Sequence, residues 1–309
     1  MRVPILLCLG ALLGAGCKTH PEAAAAEPPK IDAAAAPAHG AAAPAAKSRP
    51  YGLYIPGGLD RSKPAPLVVF FHAYGSTGAA SARGLGLMGA ADTHGFVLAF
   101  PDGTVDSQGN RFWNATDACC NFDHTSVDDV AYATWLIDDV ASKVSIDAKR
   151  VYVAGHSSGA FLSLRLACDR APRIAAAVSF AGAGWKDASR CKPSEPVSIL
   201  EIHGDADTIV RYGGGLLFDA PTREYPGAET TVAAWATRDR CSGPLVATAG
   251  LLDFDTVVPG AETTRKAATG CPAGISVDLW TVAGGVHQPN PTVAGLEAVW
   301  AWMAAHPKR

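Results

Sequence analysis

The stretch Val151-Tyr-Val-Ala-Gly155-His-Ser157-Ser-Gly159-Ala160 constrains this chain more than any other. Val151 to Ala154 is short, β-branched and aromatic, the pattern of a strand buried on both faces of a parallel sheet. Ala160-Phe-Leu-Ser-Leu-Arg-Leu-Ala167, directly after it, carries helical spacing. A chain that leaves a buried strand and enters a helix within a few residues must turn sharply, and Gly155 and Gly159 remove the side chains that would block the turn. Gly-x-Ser-x-Gly between strand and helix reads as a nucleophile elbow, which holds Ser157 in a strained conformation with Oγ exposed above the sheet. The plainer reading of the same residues is a β-α turn with a capping serine. Ser157 is a candidate nucleophile whose role depends on partners elsewhere in the chain.

Alternation of short apolar runs with helical patterns organises the rest. Leu67–Phe71, Phe96–Phe100, Val151–Ala154, Ala175–Phe180, Val197–Ile202 and Ile275–Val282 read as strands. Helical segments fall near Ser81–Thr93, Val127–Val144, Ser158–Asp169, Thr230–Arg240 and Thr292–Ala305. This repetition predicts an α/β fold, a mostly parallel doubly wound sheet flanked by helices on both faces. Tyr51–Ile55 and Leu251–Val258 are expected as extra edge strands. Ser126-x-x-Asp129 has the form of a capping box, and Trp135 falls on the apolar face of its helix. Asp128, Asp129, Asp138 and Asp139 read as solvated helix charges.

Met1-Arg2, the apolar run to Leu13 and Gly14-Ala-Gly-Cys17 read as a signal peptide over residues 1–17. Small residues before a cysteine also fit a bacterial lipobox, although Gly14 stands where Leu is usual, so Cys17 is a candidate for lipidation. Residues 18–48 are Ala, Pro, Glu and little else, too poor in apolar surface to fold, and are expected to form a disordered tether. Residues 49–309 then make one catalytic domain. A net charge of -3 without Lys/Arg clusters argues against nucleic acid. No later apolar run is long enough to span a bilayer, so any membrane attachment is expected only through Cys17. The domain is expected to be a monomer.

A serine nucleophile needs a base, and the base needs a carboxylate to orient it. Of nine histidines, His20 and His39 lie in the tether, and His72, His94, His124 and His156 precede Ser157. His203 precedes the candidate acids and His306 lies in the last turn of chain, which leaves His287 in a Gly/Pro loop after a strand. A surface loop histidine is the plainer alternative. Ile202-His203-Gly204-Asp205-Ala206-Asp207 places two carboxylates at the carboxyl edge of the sheet, and local reading leaves Asp205 and Asp207 open. Two backbone N–H groups are needed for an oxyanion, one from Ser158 and one from the loop His72-Ala73-Tyr74-Gly75.

Taken in order, Leu67–Gly75, Pro101-Asp-Gly-Thr104, Gly109–Asn114 with Ala118-Cys-Cys120, Val127–Asp129, Gly155–Gly159, His203-Gly-x-x-Asp207 and Gly284-Gly-x-His287 form a specific set. Over about residues 50–305 the chain resembles the exported α/β-hydrolase esterases known as polyhydroxybutyrate depolymerases and feruloyl esterases, similar to carbohydrate esterase family 1. The resemblance implies a serine carboxylic ester hydrolase that needs no cofactor and no metal. It selects Asp207 as the acid and Tyr74 as the second oxyanion donor. Two positions depart from the family: Ala73 stands where Gly is usual, and Gln288-Pro289-Asn290 replaces an aromatic and a proline. A peptidase with the same triad, or a weakly catalytic surface protein that binds polymer, are the rival readings. The ester could belong to a feruloylated or acetylated polysaccharide or to a polyhydroxyalkanoate.

Excluding Cys8 and Cys17, six cysteines remain in an exported chain, and disulfides are expected. Fifteen pairings are possible. Locality favours Cys168–Cys191 and Cys241–Cys271, which leaves a vicinal Cys119–Cys120 bond; a metal site at Cys119, Cys120 and His124 is disfavoured because the ligands are too close together. The long segment 101–125 is expected to form part of a binding surface, with Trp113 and Trp185 as substrate-cleft candidates against plain packing under the loop.

Overall fold

The computed structural model describes residues 49–309. The segments expected to be a signal peptide, a lipidated Cys17 and a tether lie outside the described residues. In chain order the strands are β1 (Tyr51–Tyr54), β2 (Ala65–Phe71), β3 (Val97–Pro101), β4 (Thr104–Val105), β5 (Arg111–Phe112), β6 (Ile146–His156), β7 (Ala176–Phe180), β8 (Ser198–Gly204), β9 (Gly214–Leu216), β10 (Glu224–Pro226), β11 (Leu245–Ala247), β12 (Thr263–Ala268) and β13 (Val277–Val282). The helices are α1 (Gly78–Gly84), α2 (Leu87–His94), α3 (Asp129–Lys143), α4 (Ser158–Asp169), α5 (Ala228–Arg238) and α6 (Val293–Ala304).

Nine strands form one sheet in the order β1-β3-β2-β6-β7-β8-β13-β12-β11. From β3 to β13 every neighbour is parallel. The carboxyl ends of β2, β6, β8 and β13 therefore open on one edge, and the loops that follow them meet there. Side chains alternate between two cores: Leu67, Val69 and Phe71 pack with α3, α4 and α5, while Val68 and Phe70 pack with α1, α2 and α6. Burial on both faces explains why the central strands read as continuous apolar runs.

The edges differ from the sequence reading. β1 pairs antiparallel with β3 as an edge strand, but Leu251–Val258 makes only isolated bridges. The far edge is instead β12 and β11, both antiparallel. Thr263–Ala268 is polar and half exposed, so its sequence gave no apolar signal. The helix expected over Ser81–Thr93 is two helices, separated where Gly86 adopts a φ of 68°.

Two expectations about α3 are corrected. Its N-cap is Asp128, whose side chain accepts from Ala131 N–H, and not Ser126. Asp129 is buried rather than solvated, and its carboxylate accepts from Arg49 at 2.5 Å and from the Asn114 N–H at 2.6 Å. Arg49 lies over the Tyr132 ring at 3.9 Å, so one buried pair fastens the first described residue to α3 and to the 101–125 loop. Burial pushes the Asp129 carboxyl up, against the pull of Arg49 and the Asn114 amide.

The structure joins Cys168 to Cys191, Cys241 to Cys271 and Cys119 to Cys120. The first ties the end of α4 to the approach to β8, and the second ties the end of α5 to the approach to β13. No helix among the described residues is long and apolar enough to cross a membrane.

Removing one member of a buried ion pair leaves the other uncompensated, at a cost of about 3–5 kcal/mol. Asp129→Ala should lower unfolding free energy by about that amount in urea titrations, whereas Asp138→Ala on the exposed face should cost under about 1 kcal/mol. Equal losses would mean that the Arg49 contact carries no special weight.

Candidate active site

Ser157 sits at the turn between β6 and α4 with φ 54° and ψ −120°. Its N–H donates to the Phe180 carbonyl at 2.9 Å, which fixes the turn to the end of β7. A Cβ on Gly155 would overlap the Gly159 backbone, and one on Gly159 would overlap the carbonyl of Phe71. Both glycines are thus required by close approach of α4 to β6 and β2.

The loop after β13 brings His287 over this turn. Its Nε2 lies 2.9 Å from Ser157 Oγ, and its Nδ1–H donates to Asp207 Oδ2 at 2.7 Å. The Asp207 side chain is fully buried, and its other oxygen accepts from the N–H groups of Ile209 at 2.8 Å and Val210 at 3.0 Å. Burial opposes ionisation of Asp207, but the hydrogen bonds from His203 and His287 outweigh it and hold its pKa below the usual carboxylate range. Asp205, the other acid left open by local reading, accepts from the Gly284 N–H at 2.6 Å and braces the turn before His287.

The loop after β2 carries the expected oxyanion donors. Ser76 N–H donates to the Ala73 carbonyl at 3.0 Å and Gly75 has φ 76°, so residues 73–76 form a tight turn with glycine at its left-handed position. Ala73 is not among the residues with positive φ, so its methyl group imposes no backbone strain. Among the described residues neither the Tyr74 N–H nor the Ser158 N–H has an acceptor. The Tyr74 hydroxyl donates to Asp106 and accepts from Asn110 Nδ2 at 3.2 Å, which anchors the turn from its outer side.

Three histidines set aside by sequence position prove to hold this arrangement. His72 accepts from the Gly103 N–H at Nε2, 2.9 Å away, and its Nδ1–H donates to the Ala73 carbonyl at 2.7 Å. Burial drives its pKa down to about 4, so the ring is neutral. His156 donates from Nε2 to the His287 carbonyl at 2.8 Å, and burial pushes it likewise to about 4. His203 lies between Glu201 Oε1, 2.9 Å from Nδ1, and the Val210 carbonyl, 2.7 Å from Nε2, with Asp207 Oδ2 at 3.4 Å. Both ring nitrogens face acceptors, which only the imidazolium satisfies. Burial alone would lower its pKa; the contacts with Asp207 and Glu201 raise it to about 10. The available signal was positional, because His72, His156 and His203 all lie at the carboxyl ends of parallel strands.

The two tryptophans do not line the cleft with Ser157. Trp113 is fully buried, and its Nε1–H donates to the His72 carbonyl at 2.9 Å while its ring packs on Phe71. It supports the loop after β2 from below. Trp185 is 9% exposed and borders a different cavity. The cavity over Ser157, about 520 Å³, is lined instead by Ala73, Tyr74, Leu85, Ile209, Phe218 and Gln288. Phe218 stands 55% exposed with φ 52°, and nothing in its local sequence signals that position.

The His203 contacts have a pH signature. A group whose folded pKa, about 10, exceeds its ordinary value of 6.5 contributes stability that is complete below about pH 6.5 and fades as pH rises toward 10. The stability difference between wild type and His203→Gln should therefore shrink, on the order of a few kcal/mol, over that interval. Urea midpoints at pH 6, 8 and 9.5 measure it. A difference that stays constant would show that His203 is neutral throughout.

Comparison with known proteins matches this arrangement to others. The family model "Esterase PHB depolymerase" matches residues 49–211. Feruloyl esterase B of Piromyces equi is 31% identical over 250 residues, covering 79% of this chain and 44% of that protein. Poly(3-hydroxyalkanoate) depolymerase C of Paucimonas lemoignei is 31% identical over 138 residues, covering 44% of this chain and 32% of that protein. The chain spans less than half the length of these curated relatives. An acetyl xylan esterase from Aspergillus awamori superposes with a TM-score of 0.56 at 15% identity, over 84% of this chain and 94% of that one, which identifies the fold as that of an α/β-hydrolase. By the family-model match to residues 49–211, more than half its length, the chain belongs to the PHB depolymerase family of esterases.

Proposed function

We propose that this protein is an exported serine esterase that cleaves carboxylic esters through an acyl-enzyme. The observation that carries the reading is the unbroken line from Ser157 Oγ through His287 to the buried Asp207 carboxylate. Ser157 Oγ attacks the ester carbonyl carbon while His287 Nε2 takes its proton, and Asp207 holds the imidazole in the required tautomer and stabilises the imidazolium. The carbonyl oxygen becomes an anion, held by the N–H groups of Tyr74 and Ser158, each worth about 3 kcal/mol in such a role. The C–O bond then breaks, the leaving alcohol receives the proton from His287, and the acyl group stays on Ser157. Water, deprotonated by His287, attacks the acyl carbon, and the acid and free Ser157 are regenerated.

The family and the names of its relatives favour an ester over a peptide bond as the substrate. Relatives that act on feruloyl esters and on polyhydroxyalkanoate support two substrate classes, a polysaccharide ester and a polyester. The unstrained Ala73 and the acceptor-free Tyr74 N–H support a working oxyanion site over a purely polymer-binding role. Three disulfides fit an oxidising compartment and with it the expected signal peptide, with lipidation at Cys17 as the means of attachment.

Steady-state hydrolysis of p-nitrophenyl acetate, ethyl ferulate, acetylated xylan and hydroxybutyrate oligomers tests the reading and its substrate class. Ser157→Ala should lower kcat by about 10⁴-fold or more on every substrate cleaved. Asp207→Asn should cost about 10⁴-fold because the imidazole tautomer is lost. Asp205→Asn keeps an oxygen for Gly284 and should stay within about tenfold of wild type. Residual activity of Ser157→Ala within tenfold of wild type would end the covalent mechanism.

A further inference from the structure

Phe122 lines one cavity and packs against the aromatic residues that line another. Its ring lies 5.4 Å from Tyr74 and 6.0 Å from Phe218, which both line the cavity over Ser157. Phe122 itself lines a second cavity of about 560 Å³, shared with His124, Arg165, Trp185, Arg190, Thr222 and Arg223. Phe122, packed behind Tyr74 and Phe218, therefore lies between the proposed site of ester cleavage and a space large enough for a sugar unit.

The cations of the second cavity are not equivalent. Arg165 is consumed by the carbonyls of Asn114 and Ala115, at 2.8 and 3.0 Å, and by Asp169 at 3.1 Å. Arg190 pairs with Asp117. Arg223 has its guanidinium carbon 3.9 Å from the centroid of the Phe122 ring, and its side chain has no acceptor among the described residues. A guanidinium laid on an aromatic face keeps its N–H edge available for a planar bidentate partner, and a carboxylate matches that edge. The Trp185 indole N–H also lacks an acceptor among the described residues, and His124 and Thr222 are exposed. An indole, an imidazole and a hydroxyl around one unmatched cation suit a polyhydroxylated anion; a polyester repeat offers only carbonyl acceptors and no recurring charge.

We propose that this second cavity is a subsite for a carboxylate-bearing sugar, held by Arg223, so that the ester presented to Ser157 belongs to a uronic-acid-substituted polysaccharide. The proposal rests on the esterase reading above and narrows its substrate class.

Calorimetric binding to Ser157→Ala of two ester-free xylo-oligosaccharides of equal length, one carrying a glucuronic acid, tests it. The acidic sugar should bind at least about tenfold more tightly, and added salt should erode the difference. Arg223→Ala in that background should abolish the preference, and Arg223→Lys should retain part of it. In the protein with Ser157 intact, Arg223→Ala should raise KM about tenfold for an acetyl ester on the acidic oligosaccharide. It should leave kcat and p-nitrophenyl acetate hydrolysis unchanged, which also shows that the variant folds. Equal binding of both sugars, or a preference that survives Arg223→Ala, would overturn the subsite. Because the binding sugars carry no ester, charge selectivity without hydrolysis would count against the esterase reading alone, and hydrolysis without charge selectivity against the subsite alone.

Discussion

A serine held at φ 54° is the constraint around which this domain is built. Such a conformation costs about 1–3 kcal/mol for a residue with a side chain, and persists only where its surroundings over-determine it. Here they do so in three ways. The Ser157 N–H is taken by the end of β7, the carbonyl of Ser157 receives the amides of Ala160 and Phe161 at 2.8 and 3.1 Å, and Gly155 and Gly159 let α4 press against β6 and β2. The result is a hydroxyl at the carboxyl edge of the sheet with the first turn of a helix behind it. Every other element of the site reaches that point because the strands carrying it run parallel.

Charge at the site is set by burial and by partner choice. Four histidines surround Ser157 and Asp207, but burial keeps His72 and His156 neutral, and they act as fixed donors to the carbonyls of Ala73 and His287. His203 is placed between Glu201 and the Val210 carbonyl, close to Asp207, and carries the compensating positive charge. Asp207 therefore stays ionised while fully enclosed, although isolated burial would favour its neutral form. The backbone hydrogen bonds from Ile209 and Val210 fix which oxygen faces His287.

What the sequence made legible was what depends on neighbours along the chain. The helix after the elbow spans Ser158–Asp169 as its apolar spacing indicated, and the central strands fall within a few residues of their apolar runs. Ser157 and His287 could be singled out from position in the βα alternation, whereas the choice of Asp207 over Asp205 needed a family resemblance. Tertiary pairings were not legible. Asp129 looked like any helix carboxylate until Arg49, far away in sequence, was placed against it. Trp113 sat in a long loop where burial and exposure were equally consistent with its neighbours, and its contact with the His72 carbonyl decided the matter. The polar strand β12, next to the edge strand β11, carries no apolar alternation, because backbone pairing with β13 on one side and β11 on the other holds it in the sheet.

The central claim is that Ser157 is the nucleophile and that His287 and Asp207 make it one. Brief exposure to a fluorophosphonate at neutral pH, followed by intact-mass and peptide analysis, tests this most directly. A single phosphonyl adduct on Ser157, formed rapidly in the wild-type protein and far more slowly in His287→Ala, is the result expected from a serine whose proton is taken by an oriented imidazole. An unmodified protein, or an adduct at any residue other than Ser157, would contradict it.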